Sequence, residues 1–359
     1  MYYRIAELIL LSQINLPSFS AFACDPAPAD VTISRTDEIP CKGEKIISGN
    51  IVHRRQPDGW FCYNVGMKRA GLLISSDYTR LRLVGRDVPI QLVEHYIRLA
   101  LECLLIRRGY VSIHAAAVEL EDEAIAFTGP SGIGKSTRAQ AWINDLGASL
   151  ISGDRPLIRV DNMELFGVPW DGKEGCFRSV SRKLKAICDV RRDGPCYVRK
   201  LNVSQSRRLL LRQSFLPMWD TETAALQMNN IFQLASSGRI VRIFGGVSSQ
   251  EVKSLYSIIQ REDYLEEVTE MKAKPGFILR NVVNEYMLMP TGENIGEYGG
   301  VVLLNSVSAF IWEKLQSPVS RDDLLAAVLH EFEVDENKAA EDLDMLLQKL
   351  DQLEILDKE

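Results

Sequence analysis

No stretch of 18 apolar residues occurs in this chain of 359, which excludes a hydrophobic membrane-spanning helix. No C-x-x-C pair occurs among its seven cysteines, at 24, 41, 62, 103, 176, 188 and 196, and its four histidines do not cluster with them. That scatter excludes a zinc module and a disulfide framework and predicts free thiols in a reducing, cytoplasmic setting. Positive charge is in short supply. Lys and Arg number 42 against 48 Asp and Glu, for a net of −6, so nonspecific nucleic-acid binding is not expected. Apolar Ile5–Leu11 is short and contains Glu7, and reads as a buried first strand rather than a signal peptide. What remains is an ordinary globular composition, 46% hydrophobic and 25% charged, long enough for two or three domains.

The most specific motif is Gly129-Pro130-Ser131-Gly132-Ile133-Gly134-Lys135-Ser136-Thr137, which fits the phosphate-binding pattern G-x-x-x-x-G-K-[ST]. The apolar run 124–128 before it reads as a buried strand, and 138–143 after it as a helix. Glycines let the backbone N–H groups close around phosphate oxygens, and the helix N-terminus adds its positive end. Lys135 can reach the β- and γ-phosphates, and the Ser136 hydroxyl can hold Mg²⁺.

Three further segments are candidates for the same site. Asp154 follows Lys135 by 19 residues, at the end of a short apolar strand expected beside the P-loop strand. It can serve as general base or hold Mg²⁺ through water, or simply pair with Arg155. His114 lies in the apolar run 111–118, where it is either a satisfied core residue or a phosphate contact. The loop 167–175 offers Lys173 and Glu174 to phosphate and metal, or is only a charged turn. Arg178, Arg182 and Lys183 form a basic cluster, either a solvated face or a phosphate contact.

Taken together and in order, these elements resemble HPr kinase/phosphorylase and its relatives, over roughly residues 30–260 and most strongly over 111–175. That family combines a histidine-bearing strand, a loop of the form G-P-S-G-I-G-K-S, and a strand ending Asp-Asp-Arg. Here the last reads Gly153-Asp154-Arg155, so the second aspartate is kept and the first is glycine. The resemblance implies that Asp154 takes the proton from a substrate hydroxyl. The 169–174 loop is similar to the P-W-x-G-K loop of HPr-kinase-like proteins in peptide-modification clusters.

A break at Lys272-Ala273-Lys274-Pro275-Gly276 separates regions of different charge. Residues 272–359 hold 8 basic and 17 acidic residues, a net of −9, and the remainder, with 34 and 31, comes to +3. A strand pair over 277–290, an apolar run 301–304 and helices over 307–315, 324–329 and 338–353 predict a winged-helix shape. DNA binding is disfavoured by the negative charge. The stretch resembles the PqqD-like peptide-recognition domain, through Met287-Leu288-Met289-Pro290, the segment 304–312 and the acidic last helix ending Leu353-Glu354-Ile355-Leu356. That resemblance implies capture of a leader peptide as an added strand beside the hairpin.

The expected architecture is therefore a β-rich part over 1–90, an α/β P-loop domain of HPr-kinase type over 91–270 and a winged-helix α+β domain over 271–359. The expected activity is ATP-dependent phosphorylation of serine or threonine in a ribosomally made precursor peptide. Asp154, Lys135 and His114 would be catalytic. Gly129, Ser131, Gly132, Ile133, Gly134, Lys135, Ser136 and Thr137 would hold ATP, and Ser136 and Glu174 would hold Mg²⁺. Other maturation enzymes and self-association are compatible partners. Two other classes stay open: a nucleotide-sensing peptide chaperone serving a separate enzyme, and a small-molecule phosphotransferase.

Overall fold

The computed structural model describes residues 1–67, 69–170, 178–191, 196–262, 264, 270–282, 285–292 and 300–358. It divides into two compact units, Met1–Leu265 and Glu266–Glu359. The division expected near residue 90 is absent, for a packing reason. Leu10, Leu72 and Leu81 of the N-terminal part share one core with Tyr96, Leu101, Tyr110, Phe166 and Trp219.

Short apolar runs broken by turn residues build the first sheet. Its strands are β1 (Tyr2–Ile5), β2 (Leu8–Ser12), β3 (Val31–Thr36), β4 (Lys45–Ser48), β5 (Ile51–Gln56), β6 (Gly59–Asn64), β7 (Gly71–Ile74) and β8 (Arg80–Val84). Their spatial order is β1-β2-β3-β8-β7-β6-β5-β4. The sheet is larger than the sequence suggests and is mixed, since β3 lies parallel to both β2 and β8. Two runs that read as single strands are hairpins. Ala6, at φ +51°, folds the first, and Gly49, at φ +59°, splits 46–52 into β4 and β5.

Helix α1 (Ile90–Arg107) is buried almost continuously from Tyr96 to Ile106, so it is a core helix rather than a one-sided surface helix. The second sheet contains β9 (Tyr110–Ser112), β10 (Ala115–Leu120), β11 (Glu123–Thr128), β12 (Ser149–Ser152), β13 (Leu157–Arg159), β14 (Glu164–Phe166) and β15 (Ser181–Val190). Their order is β12-β10-β11-β15-β14-β13-β9. Strand β17 (Ile240–Phe244) joins beside β15, and β16 (Tyr197–Lys200) beside β17. Helices α2 (Lys135–Leu146) and α5 (Ser249–Arg261) cover one face, where Trp142, Val252 and Leu255 meet Ile125 and Phe127. Helices α3 (Val203–Gln213) and α4 (Thr221–Ala235) cover the other, where Leu210, Ile231 and Leu234 meet Ala126 and Ile187. Strands β11, β15 and β17 run parallel, so their C-terminal ends open on one side.

The second unit holds β18 (Glu270–Ala273), β19 (Phe277–Val282), β20 (Glu285–Pro290), β21 (Val302–Leu304), α6 (Ser306–Lys314), β22 (Val319–Ser320), α7 (Arg321–Glu331), α8 (Glu336–Gln352) and β23 (Leu356–Lys358). Its described residues form two three-stranded sheets, β22-β18-β23 and β19-β20-β21. The caps are those the sequence favours. Asn305 accepts from Ser308 N at 2.7 Å, and Ser320 accepts from Asp323 N at 2.9 Å. Trp312, Leu315, Leu343 and Leu350 are buried in its core. The boundary falls a few residues before the expected 270/271.

Candidate functional site

The glycine loop joins β11 to α2, the placement the motif requires. Gly129 takes φ +138° and Gly134 φ +103°, conformations that a side chain resists. The chain turns sharply at both points and enters α2 with Lys135 as its first residue. Lys135 is 9% exposed, and its ammonium donates to Gly129 O at 3.1 Å and Pro130 O at 3.3 Å. Ser131, Gly132, Ser136 and Thr137 are exposed, and Ile133 and Gly134 half-buried, around the mouth of the loop. A helix N-terminus preceded by such a turn favours an anion.

Asp154 reaches this loop by a different route from the one expected. Its strand β12 pairs with β10, not with β11, because the β10–β11 hairpin places β10 between them. His114 is likewise not within a strand. It occupies the break between β9 and β10, where its N–H donates to Gln213 O at 2.7 Å and its carbonyl accepts from Thr128 Oγ1 at 2.9 Å. The break turns the imidazole toward Asp154, with Nε2 3.3 Å from Oδ1. Ala115 N donates to Asp154 O at 2.6 Å and locks the two segments together.

The electrostatics tie the three expected catalytic residues into one group. Burial first, then the nearby Lys135 and Arg155 charges, hold the His114 pKa below its ordinary 6.5, against the opposing pull of Asp154. These causes favour the neutral imidazole over the imidazolium. Burial also lowers the Lys135 pKa, with Asp154 raising it and Arg155 lowering it. Lys135, His114, Asp154 and Arg155 thus lie within one another's fields at the C-terminal end of β11. The pairing of Asp154 is with His114 at 3.3 Å, and the Arg155 charge acts on His114 and Lys135.

Other sequence candidates are distributed differently. Glu174 and Lys173 lie outside the described residues. Arg178 and Arg182 are engaged by Glu119, at 2.6 and 2.9 Å, and Lys183 donates to Asn162 O, so this cluster is structural. Arg138 had no role in the sequence reading. It is buried on α2 and clamps the turn after β17 by donating to Gly245 O at 2.7 Å and Gly246 O at 3.0 Å. Its position three residues beyond Lys135, on a helix facing a sheet, was the available signal. Among the described residues no group of three or more His, Cys, Asp or Glu is arranged to hold a metal unaided.

The second unit carries a separate cleft of about 570 Å³. Leu303, Leu304, Val307, Ile311, Leu343 and Leu346 line it, with Asp335, Lys338 and Lys349 among its polar groups. Its floor borders β21, which among the described residues pairs only with β20. Leu303 is 60% exposed there. Because β21 flanks the hairpin, the free edge at this cleft belongs to β21, not to the hairpin itself.

Residues 285–356 match the family model described as coenzyme PQQ synthesis protein D (PqqD). The C-terminal unit carries a PqqD domain. Its matched stretch runs from β20 through α8 and includes β21 and the cleft. The chain is also similar to a solved structure of TbiB1 in complex with the TbiA(beta) leader peptide, at 22% identity and a TM-score of 0.21. That similarity covers 24% of this chain and 94% of that one. No curated protein matches the chain. No described helix is long and apolar enough to cross a membrane. Of the cysteines, Cys24, Cys41, Cys62, Cys103, Cys188 and Cys196 are free thiols.

Proposed function

We propose that the chain is an ATP-dependent serine/threonine kinase of HPr-kinase-like P-loop type, acting on a ribosomally made precursor peptide that its PqqD domain holds. The observation that carries the proposal is the convergence of Lys135, His114 and Asp154 at the end of the glycine loop. The loop fits a nucleoside triphosphate. Its two carbonyls hold Lys135 where phosphate would compete for the ammonium, and its mouth exposes Ser136 and Thr137. Mg²⁺ held by the Ser136 hydroxyl would offset charge on the phosphates.

Asp154 accepts the proton of the peptide hydroxyl. The hydroxyl oxygen then forms a bond to the γ-phosphorus as the bond to the β,γ-bridging oxygen breaks, and ADP leaves with that electron pair. His114, with Nε2 3.3 Å from Asp154 Oδ1, orients the carboxylate. Lys135 and the loop N–H groups stabilise charge on the transferred group. Gly153, in place of the first aspartate of the family, leaves Asp154 as the acid available for this role at that strand end.

The PqqD domain supplies the substrate side. An extended leader adds to the free edge of β21 and buries apolar side chains in the adjoining cleft. Tethering raises the effective concentration of the acceptor to roughly millimolar. The variant Asp154→Asn tests the assignment. We expect transfer from γ-labelled ATP to peptide to disappear while ATP and peptide binding persist. Undiminished product would remove Asp154 from the transfer step, and absence of product with the unaltered chain would reject the kinase reading and leave the chaperone one.

A further inference from the structure

Asp189 takes no part in the chemistry above, yet it is fully buried beside the glycine loop. It lies near the C-terminal end of β15. There it pairs in register with Thr128, the last residue of β11 before Gly129, and on its other side with Arg242 of β17. Matched positions on neighbouring strands project from the same sheet face, so the three residues form one row across the strand ends. Arg191 Nη2 and Arg242 Nε each donate to the same carboxylate oxygen, Oδ2, at 2.9 Å. The other oxygen, Oδ1, is shut off from solvent and has no hydrogen-bond partner among the described residues. It stands 3.6 Å from the point that a Cβ on Gly129 would occupy.

A buried carboxylate oxygen without a donor is costly, and here it is kept against the first turn of a loop whose N–H groups are its working parts. The carboxylate cannot meet phosphate directly, because both are anions. Two guanidiniums on one carboxylate leave the trio positive, so it does not repel a bound phosphate chain. Arg191 is 37% exposed and carries that excess charge toward solvent.

We propose that Asp189 is a positioning residue for phosphate binding, anchored by Arg191 and Arg242. It fixes the turn at Gly129, and its free oxygen accepts a loop N–H as the loop tightens on the anion. The inference rests on the reading that this loop binds a nucleoside triphosphate.

Calorimetric titration of the full chain with ATP and Mg²⁺ separates affinity from the fraction of folded protein. For Asp189→Asn we expect Kd to rise about tenfold with unchanged stoichiometry, the scale of one charged hydrogen bond. Arg242→Lys keeps a cation beside the carboxylate and should shift Kd by less than about threefold on the same scale. Should Asp189→Asn not fold, Arg242→Gln carries the test, with a rise in Kd of the same order as for Asp189→Asn. A wild-type Kd with reduced stoichiometry would show that Asp189 only stabilises the fold and would overturn the assignment. Absence of ATP binding by the unaltered chain would reject the nucleotide reading itself, and this inference with it.

Discussion

At the scale of single residues, the site depends on a few side chains held in uncommon positions. Lys135 is buried against its own loop carbonyls, so it is already placed where phosphate would arrive. Lys135→Met should abolish the stabilisation that saturating ATP gives the unaltered chain, about 2.7 kcal/mol at a hundredfold excess over Kd, read as a shift in Tm. Gly129 is a second single point of failure. At φ +138°, with Ile133 Cγ2 only 3.3 Å from where a Cβ would sit, Gly129→Ala should cost about 1–3 kcal/mol in denaturant unfolding and weaken ATP binding as well. The glycines, Lys135 and Ser136 were legible because the motif is local in sequence. His114 was legible only as a candidate, since nothing in 111–118 reveals that the strand breaks there and turns the ring toward Asp154. Asp189 was not legible, because its meaning comes from a register with Thr128 that spans 61 positions of chain.

At the scale of elements, most helices and strands follow from apolar periodicity and caps, and the departures have local causes. Helix α5 is capped by Ser248, in a reciprocal box with Glu251. Ser248→Ala should therefore cost about 1 kcal/mol in chemical denaturation, and Ser249→Ala much less. Run 5–11 conceals a hairpin because Ala6 takes left-handed backbone with no Gly, Pro or Asn to mark the turn, whereas Gly49-Asn50 does mark the turn within 46–52. Strand β21 is too short for alternation to be read, yet it forms one edge of the β19-β20-β21 sheet, beside the cleft. Leu303→Asp places a carboxylate in the cleft at a site already 60% exposed. It should raise the Kd for a leader peptide by about tenfold or more, measured by fluorescence anisotropy, while leaving Tm nearly unchanged.

At the scale of the whole molecule, the chain joins a two-sheet α/β unit with a phosphate-type loop to an acidic PqqD domain. The second boundary was legible from the change in charge. The absence of a first boundary was not, because shared burial between Leu10 and Trp219 leaves no mark in composition. The first unit also carries a pH dependence. Burial, reinforced by His95, depresses the His53 pKa to about 3, and burial with the Arg98 charge depresses His95 to about 4. Both bind protons more readily when unfolded, so their contribution to stability is complete above pH 6.5 and is lost as pH falls from 6.5 toward about 4. Each should remove up to about 1.4 kcal/mol per pH unit in that window. A Tm that falls between pH 7 and pH 5 is the expected result, and a flat profile would contradict it.

The central claim is phosphoryl transfer to a peptide. Its most direct test is mass spectrometry of candidate serine- and threonine-containing precursor peptides incubated with ATP, Mg²⁺ and either the unaltered protein or Asp154→Asn. The account predicts one added phosphoryl group on a serine or threonine with the unaltered protein and none with the variant. The same product in both would remove Asp154 from the transfer step, and an unmodified peptide in both reactions would contradict the account.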